Sequence, residues 1–512
     1  MKAVKSLILL ALSALPLAVH AADAQEPVTK KPNIVFIFSD DHSLQTIGAY
    51  GARLSEFCKE NNITPNIDKL ADEGGLFLNS FCGNSICSPS RATVMTGLHS
   101  HANGVMTIPG QLPISKDMWT YPQGLRDAGY QSYLVGKWHL DKSKPTFDSW
   151  LILPGQGEYF DPNFRSSDGK VVQTKGYVSD IIADNAIDWL KKRDPSKPFF
   201  LAVHNKAPHR PWEPSPRYAN WLDDVEIPEP DTLFDDYSTR ESPASEQQMS
   251  IGKDMGLSKD LKVDPKDAKN PNYTARNAEF KKLQPEGPAL TKWKYQQYMK
   301  DYLRCVKSVD DNVGRIMEEL KKEGIDDNTI VIYSADQGFF NGEHGWFDKR
   351  WIYDESLHMP FIVRWPGVVK PGTRFTPFIQ NIDYAETFVD MAGGKVPEGL
   401  HGHSLVPILS GETPADWRKS VYYHYYGEPT HHVAKHYGVR TDRYTLAYFY
   451  DKNVWELYDN EKDPEQLHNV YADPAYAKVI EELKAELTRL RELYKDSDAI
   501  VPDFGKKKKK GN

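Results

Sequence analysis

From about Pro32 onward, short apolar runs alternate with stretches of helical character, and each run stops at a cluster of polar residues. Strands separated by helix-length connections pair as parallel neighbours, so the alternation predicts an α/β fold: a large mixed, mostly parallel sheet sandwiched by helices. Candidate strands are Asn33–Phe38, Ser132–Val135, Pro198–Val203, Thr329–Tyr333 and Pro360–Arg364. Tyr302, Val306, Val309, Val313, Ile316 and Leu320 recur at three- and four-residue spacing and predict the apolar face of a helix over about 295–323.

The texture changes twice within this frame. A stretch over about 213–292 is charged, rich in Pro, Ser and Asp and poor in aliphatics, and reads as a long surface insertion with little sheet of its own. After Gly394 come Tyr- and His-rich runs, Val421–Tyr426 and Arg443–Phe449, that read as antiparallel strands, and Ala475–Tyr494 reads as a closing amphipathic helix. A main unit over 31–394 is therefore expected to carry a smaller C-terminal α+β subdomain over 395–497. Residues 498–512, with the run Lys506–Lys510, read as a solvated basic tail.

At the other end, Lys2 and Lys5 precede an apolar run from Leu7 to Val19, and Ala21, Ala22 and Ala24 follow, the pattern of a secretory signal over residues 1–22. A buried N-terminal helix is the plainer alternative. Export, to periplasm or medium, would permit disulfides, but Cys58, Cys82, Cys87 and Cys305 are too few for a framework in 512 residues and lack zinc-site spacing. Whether Cys58 and Cys82 pair depends on a distance that spacing does not give. No later stretch approaches the roughly 20 apolar residues of a membrane span, and a net charge of −8 argues against a general nucleic-acid binder.

In an open α/β sheet, ligands bind beyond the carboxyl ends of the strands. The first run ends in Ser39-Asp40-Asp41-His42 and the late run in Ser334-Ala335-Asp336-Gln337. Three carboxylates and an amide at two strand ends would repel without a hard cation, and calcium or magnesium suits all-oxygen donors better than zinc does. Taken singly, Asp40 also reads as a helix cap and Asp336 as a turn residue. Two further runs lead into Gly136-Lys137-Trp138-His139 and into His204-Asn205-Lys206-Ala207-Pro208-His209, where Lys and His suit an anionic substrate.

Residues 87–97 read Cys87-Ser88-Pro89-Ser90-Arg91-Ala92-Thr93-Val94-Met95-Thr96-Gly97. Pro89 fits the first turn of a helix and Gly97 its end, which places Cys87 at an N-terminus whose dipole favours anions. The order C-x-P-S-R, four residues, Thr-Gly resembles the signature of type I sulfatases, in the alkaline phosphatase superfamily. That resemblance implies conversion of Cys87 to formylglycine by a maturing enzyme that reads Pro89 and Arg91. It implies one Ca2+ held by Asp40, Asp41, Asp336, Gln337 and the modified Cys87, with Gln337 where the family often has Asn or His. Lys137 and His139 match the family's G-K-W-H element, and His209 and Lys349 match its later His and Lys. Arg440 to Tyr444 resembles its C-terminal subdomain.

The chemistry expected from that resemblance is hydrolysis of a sulfate ester. Arg91 orients the hydrated aldehyde, Asp336 serves as base for the attacking hydroxyl, and Lys137, Lys349 and His209 hold the sulfate. His209 protonates the leaving alcohol and His139 deprotonates the second hydroxyl. The run from Phe347 to Ser356 resembles carbohydrate sulfatases, including N-acetylglucosamine-6-sulfatases and enzymes acting on glycosaminoglycans, mucins and ulvan, so a sulfated oligo- or polysaccharide is the expected partner. Tyr422, Tyr423, His424, Tyr425, Tyr426, His431, His432 and His436 either line a sugar site or form a strand with buried aromatics. Two rivals remain open: a phosphodiesterase or phosphonate hydrolase of the same superfamily, and a catalytically silent glycan-binding protein.

Overall fold

The computed structural model describes residues 30–108, 113–263 and 271–498, so the expected signal segment and nearly all of the basic tail lie outside it. Ten strands form the main sheet: Asn33–Ser39 (β1), Gly75–Phe77 (β2), Gln131–Lys137 (β3), Ser149–Leu153 (β4), Asn163–Ser166 (β5), Val171–Gln173 (β6), Phe199–His204 (β7), Thr329–Ala335 (β8), Phe361–Arg364 (β9) and Thr373–Phe375 (β10). Their order is β10-β2-β9-β8-β1-β7-β3-β4-β5-β6. The central neighbours β8-β1-β7-β3-β4 are all parallel, and antiparallel pairing begins at β9 on one side and β5 on the other. The expected mostly parallel α/β sheet is thus present, with antiparallel flanks.

The strand at the centre shows why the sheet is covered on both faces. Along β1, Ile34, Phe36 and Phe38 pack into one apolar cluster while Val35 and Ile37 pack into another, as the two-residue period of a strand requires. Helices Pro65–Glu73 (α1), Val178–Lys192 (α4) and Gly287–Lys322 (α5) cover the second face. Cys87–Thr96 (α2), Tyr121–Asp127 (α3) and Tyr384–Met391 (α6) cover the first. In α5 the predicted stripe from Tyr302 to Leu320 is buried, each large side chain contributing about 1.5–3 kcal/mol relative to exposure. The four cysteines are free and buried; Cys58 and Cys82 belong to opposite faces of the sheet.

The C-terminal part is a four-stranded antiparallel sheet of Ser420–Tyr425 (β11), His436–Thr441 (β12), Tyr444–Phe449 (β13) and Val454–Asp459 (β14). Helix Ala477–Tyr494 (α7) lays Leu483, Leu487 and Leu490 on Val439, Leu446 and Leu457. The described residues of the 213–292 stretch form no strand beyond a single bridge from Ser250 to Trp346. They are nonetheless anchored: Leu222, Ile227, Leu233, Met255 and Leu261 are buried in the cluster that contains α5. Among the described residues no helix is long and apolar enough to cross a membrane.

Candidate active site

Because β1, β3, β7 and β8 are parallel neighbours, their carboxyl ends share one edge. β1 delivers Asp40 and Asp41, β3 delivers Lys137 and His139, β7 delivers Lys206 and His209, and β8 delivers Asp336 and Gln337. Facing them is α2, every residue of which is buried, with Cys87 in its first turn and Gly97 ending it at φ 69°. Lys349 follows a short hairpin strand, Phe347–Asp348. The backbone here is forced: Asp41, His139, Asp348 and Arg350 have φ of 65°, 55°, 82° and 92°, a region that side chains with a Cβ rarely adopt. Such residues cost about 1–3 kcal/mol each and persist only where surroundings hold them. Asp41 is held by Tyr302, whose hydroxyl donates to the Asp41 carbonyl at 2.7 Å and accepts the Ser43 N–H at 2.9 Å.

Oxygen atoms of Asp40, Asp41 and Asp336 come within 4.8 Å of one another, and a second such group joins Asp40, Cys87 and His209. Three cations answer the three carboxylates. Arg91 donates from Nε to Asp336 at 3.1 Å and from NH1 to the Lys137 carbonyl at 3.0 Å. Lys137 pairs with Asp40 and with the Gln156 amide oxygen. Lys349 pairs with Asp41 and lies 3.3 Å from Cys87 Sγ. The Gln337 amide nitrogen donates to Asp41 at 2.5 Å and to Asp336 at 2.7 Å, leaving its oxygen without a partner. Asp40 Oδ1 is also buried without a hydrogen-bond partner among the described residues, while Arg91 Nη2 lies 3.0 Å from Asp336. A cation among these carboxylates fits: the donors are oxygens, one carboxylate oxygen is orphaned, and a half-turn of the Gln337 amide presents its orphaned oxygen.

Burial governs the titrations. It raises the Cys87 thiol to about 12, with Lys349 opposing, so at neutral pH this sulfur carries almost no thiolate. The Asp41 carboxyl is raised by burial and by Asp336, against the attraction of Lys349. His139 is held well below the usual imidazole range by burial and by Lys137. His209 is lowered by burial and by the Lys137 and Lys349 ammoniums. Its Nδ1 faces the Arg210 carbonyl at 2.6 Å, which leaves Nε2, 3.8 Å from Asp41, toward the site.

All ten residues singled out from sequence, Asp40, Asp41, Cys87, Arg91, Lys137, His139, His209, Asp336, Gln337 and Lys349, therefore lie at one crevice. The aromatic run of β11 does not line it as a sugar surface. Tyr422 and His424 bond to Asp496 at 2.7 Å each, and His436 accepts the Ile352 N–H at 3.1 Å; all three are buried. Tyr423 and Tyr425 touch the edge of the crevice only through Arg350, the Tyr423 hydroxyl donating to the Arg350 carbonyl at 2.7 Å, and His431 Nε2 lies 3.3 Å from Asp348. Sequence reasoning passed over the supports: Gln156, Tyr302, Glu428 paired to Arg350 at 2.6 Å, and Asn381, which donates at 2.9 Å to Ser90 beside Asp336. Tyr302 was hidden in the apolar stripe of α5, where its hydroxyl leaves no trace in the pattern.

Comparison with known proteins adds an independent line. Residues 32–394 match the sequence model of the family described as "Sulfatase", and 342–493 match that of "N-sulphoglucosamine sulphohydrolase, C-terminal". An N-acetylglucosamine-6-O-sulfatase of Bacteroides thetaiotaomicron is 43% identical, covering 97% of this chain and 93% of its own. The solved structure of BT4656 with its substrate D-glucosamine-2-N,6-O-disulfate superimposes with a TM-score of 0.87 at 42% identity, over 93% of this chain and 100% of that one. A phosphonate monoester hydrolase of Agrobacterium radiobacter shares the fold at a TM-score of 0.66 and 23% identity, over 90% of this chain and 96% of that one. With a family match over most of its length and a crevice of the matching residues, this chain belongs to the sulfatase family.

Proposed function

We propose that this sulfatase removes an O-linked sulfate from a sulfated hexosamine within an exported carbohydrate-degrading system. The observation that carries the reading is Cys87, buried in the first turn of α2 against Lys349 and the three-carboxylate group, with a thiol pushed up to about 12. A thiol so protonated is a poor nucleophile, so the attack is assigned to formylglycine formed from Cys87 and not to the thiol itself. The hydrated aldehyde supplies two hydroxyls on one carbon, one to attack sulfur and one to release sulfate. A Ca2+ ion held by Asp40, Asp41, Asp336 and the Gln337 amide oxygen supplies positive charge against the sulfate and the nucleophile.

The chain's own groups do the rest. Arg91, fixed by Asp336 and the Lys137 carbonyl, sets the orientation of residue 87. Asp336 takes the proton of the attacking hydroxyl, and Lys137 and Lys349 hold the sulfate oxygens. His209, its Nδ1–H held by the Arg210 carbonyl, turns Nε2 toward the leaving alcohol and donates from it as the imidazolium, a form the negative charge of a bound sulfate ester favours; without that proton a sugar alkoxide departs poorly. His139, whose Nδ1 has no partner, takes the proton of the second hydroxyl. Asp348, Arg350 and His431, at the same crevice, suit the hydroxyls of a sugar ring. The 43% identity to an N-acetylglucosamine-6-O-sulfatase favours the 6-O position.

Mass spectrometry of the Cys87 peptide from exported, matured protein tests the nucleophile: the mass deficit of CH2SH converted to CHO is expected, and unmodified Cys in active protein overturns the mechanism. Phosphonate hydrolases share the fold, so the second measurement compares glucosamine 6-O-sulfate with a phosphonate monoester. Faster turnover of the phosphonate would transfer the chain to the rival class.

A further inference from the structure

We propose that Lys206 is a third cation of the anion site, its ammonium contacting an oxygen of the substrate's sulfate; the inference rests on the sulfatase reading above. Lys206 lies just past the end of β7 and is 2% exposed. The other two lysines of the crevice are spoken for, Lys137 by Asp40 and Gln156 and Lys349 by Asp41. The ammonium of Lys206 makes no ion pair and no hydrogen bond among the described residues, and it lies over the face of Tyr159, 4.8 Å from the ring centre. A ring face returns only part of what desolvating an ammonium costs, so the position is favourable only with an anion beside it.

Placement in the crevice follows from the chain: Lys206 is two residues past the end of β7 and three before His209, at the strand edge that also delivers Asp40 and Lys137. Glu213 and Asp41 are charges that favour its ammonium, and it in turn bears on Lys137, His139 and His209. Burial brings its pKa down to about 8, which leaves it mostly protonated at neutral pH. The segment is also fixed: the Lys206 carbonyl accepts the His209 N–H at 3.0 Å, and the Tyr159 hydroxyl donates to the His209 carbonyl at 2.5 Å. The same tyrosine thus sets the proton donor and floors the ammonium.

The test uses full-length protein carrying Cys87→Ala, so that inorganic sulfate binds without turnover, together with matured enzyme acting on glucosamine 6-O-sulfate. Calorimetry should find sulfate bound about tenfold more weakly by Lys206→Met, and KM for the ester should rise in step, while Lys206→Arg stays within about threefold of its parent. The Tm of Lys206→Met should not fall, because an unpaired buried charge has been removed. Unchanged sulfate affinity in Lys206→Met overturns the inference, as does a loss accompanied by a lower Tm that Lys206→Arg does not repair. A Cys87→Ala protein that does not bind sulfate, together with a matured enzyme that does not release it from the ester, overturns the underlying reading and this one with it. Binding by the one and release by the other, beside an unaffected Lys206→Met, overturns this one alone.

Discussion

Asp301, in the middle of α5, and Asp41, at the end of β1, are both buried carboxylates, and they live under opposite rules. Asp301 receives Arg276 on both oxygens at 2.7 Å each, Arg304 at 3.2 Å and Lys262 at 3.6 Å. Although burial raises its pKa, Arg276 and Lys262 overcome that and bring it down to about 2. Asp41 has one lysine, two like-charged neighbours and a left-handed backbone, and its carboxyl is raised. A charge kept for structure gathers partners until none of its oxygens is idle. A charge kept for chemistry stays in company that only an added cation resolves.

The largest expected effect separates the two regions outright. Cys87→Ala should lower sulfate-ester hydrolysis by at least about 10³-fold while leaving the unfolding midpoint close to wild type; turnover within tenfold of wild type would falsify the assignment of the nucleophile. Next in size, Asp301→Ala strands Arg276, Arg304 and Lys262 and should cost about 3–5 kcal/mol in urea unfolding. A cost under about 1 kcal/mol would mean the network is ornamental.

The pH dependence sharpens the contrast further. A carboxyl depressed to about 2 contributes stability that is fully present above its unfolded pKa near 4 and is lost as pH falls through its folded value. From Asp301 the loss should be on the order of 2 kcal/mol between pH 4 and 2, visible as a pH slope in wild type that Asp301→Asn lacks. The smallest effect belongs to Asp41. In metal-free protein, Asp41→Asn relieves repulsion with Asp336 but takes the partner of the Lys349 ammonium, and the two should cancel to within about 1 kcal/mol. Calcium affinity, read by calorimetry, should fall in the same variant; an undiminished affinity would remove Asp41 from the ligand set.

Much of this was legible because strand ends advertise themselves. The apolar runs at 33–38, 132–135, 198–203 and 329–333 each extend in the fold by a residue or two into the polar group that follows, so the chemistry sits where hydrophobicity stops. The flanking strands β2, β5, β6 and β10 were not seen, being three or four residues long with no alternation to detect, and the five-residue β4 was missed as well. The Tyr-rich run of β11 was ambiguous for a physical reason: an aromatic bearing a hydroxyl suits a sugar and a satisfied core equally well, and only the position of Asp496 decides it. Lys206 was written in the sequence three residues before His209, but that it has no ion pair among the described residues is a property of space.

The burial of α2 sets an order of events. Cys87 is 1% exposed in a helix that is covered along its whole length, so no other protein's active site can reach the sulfur once the domain has closed. If Cys87 is converted to formylglycine as proposed, the converting enzyme must act on the nascent or unfolded chain, in competition with folding itself. Mutations that speed closure of the sheet over α2 should therefore lower the fraction of molecules that ever become competent, without touching the rate of those that do.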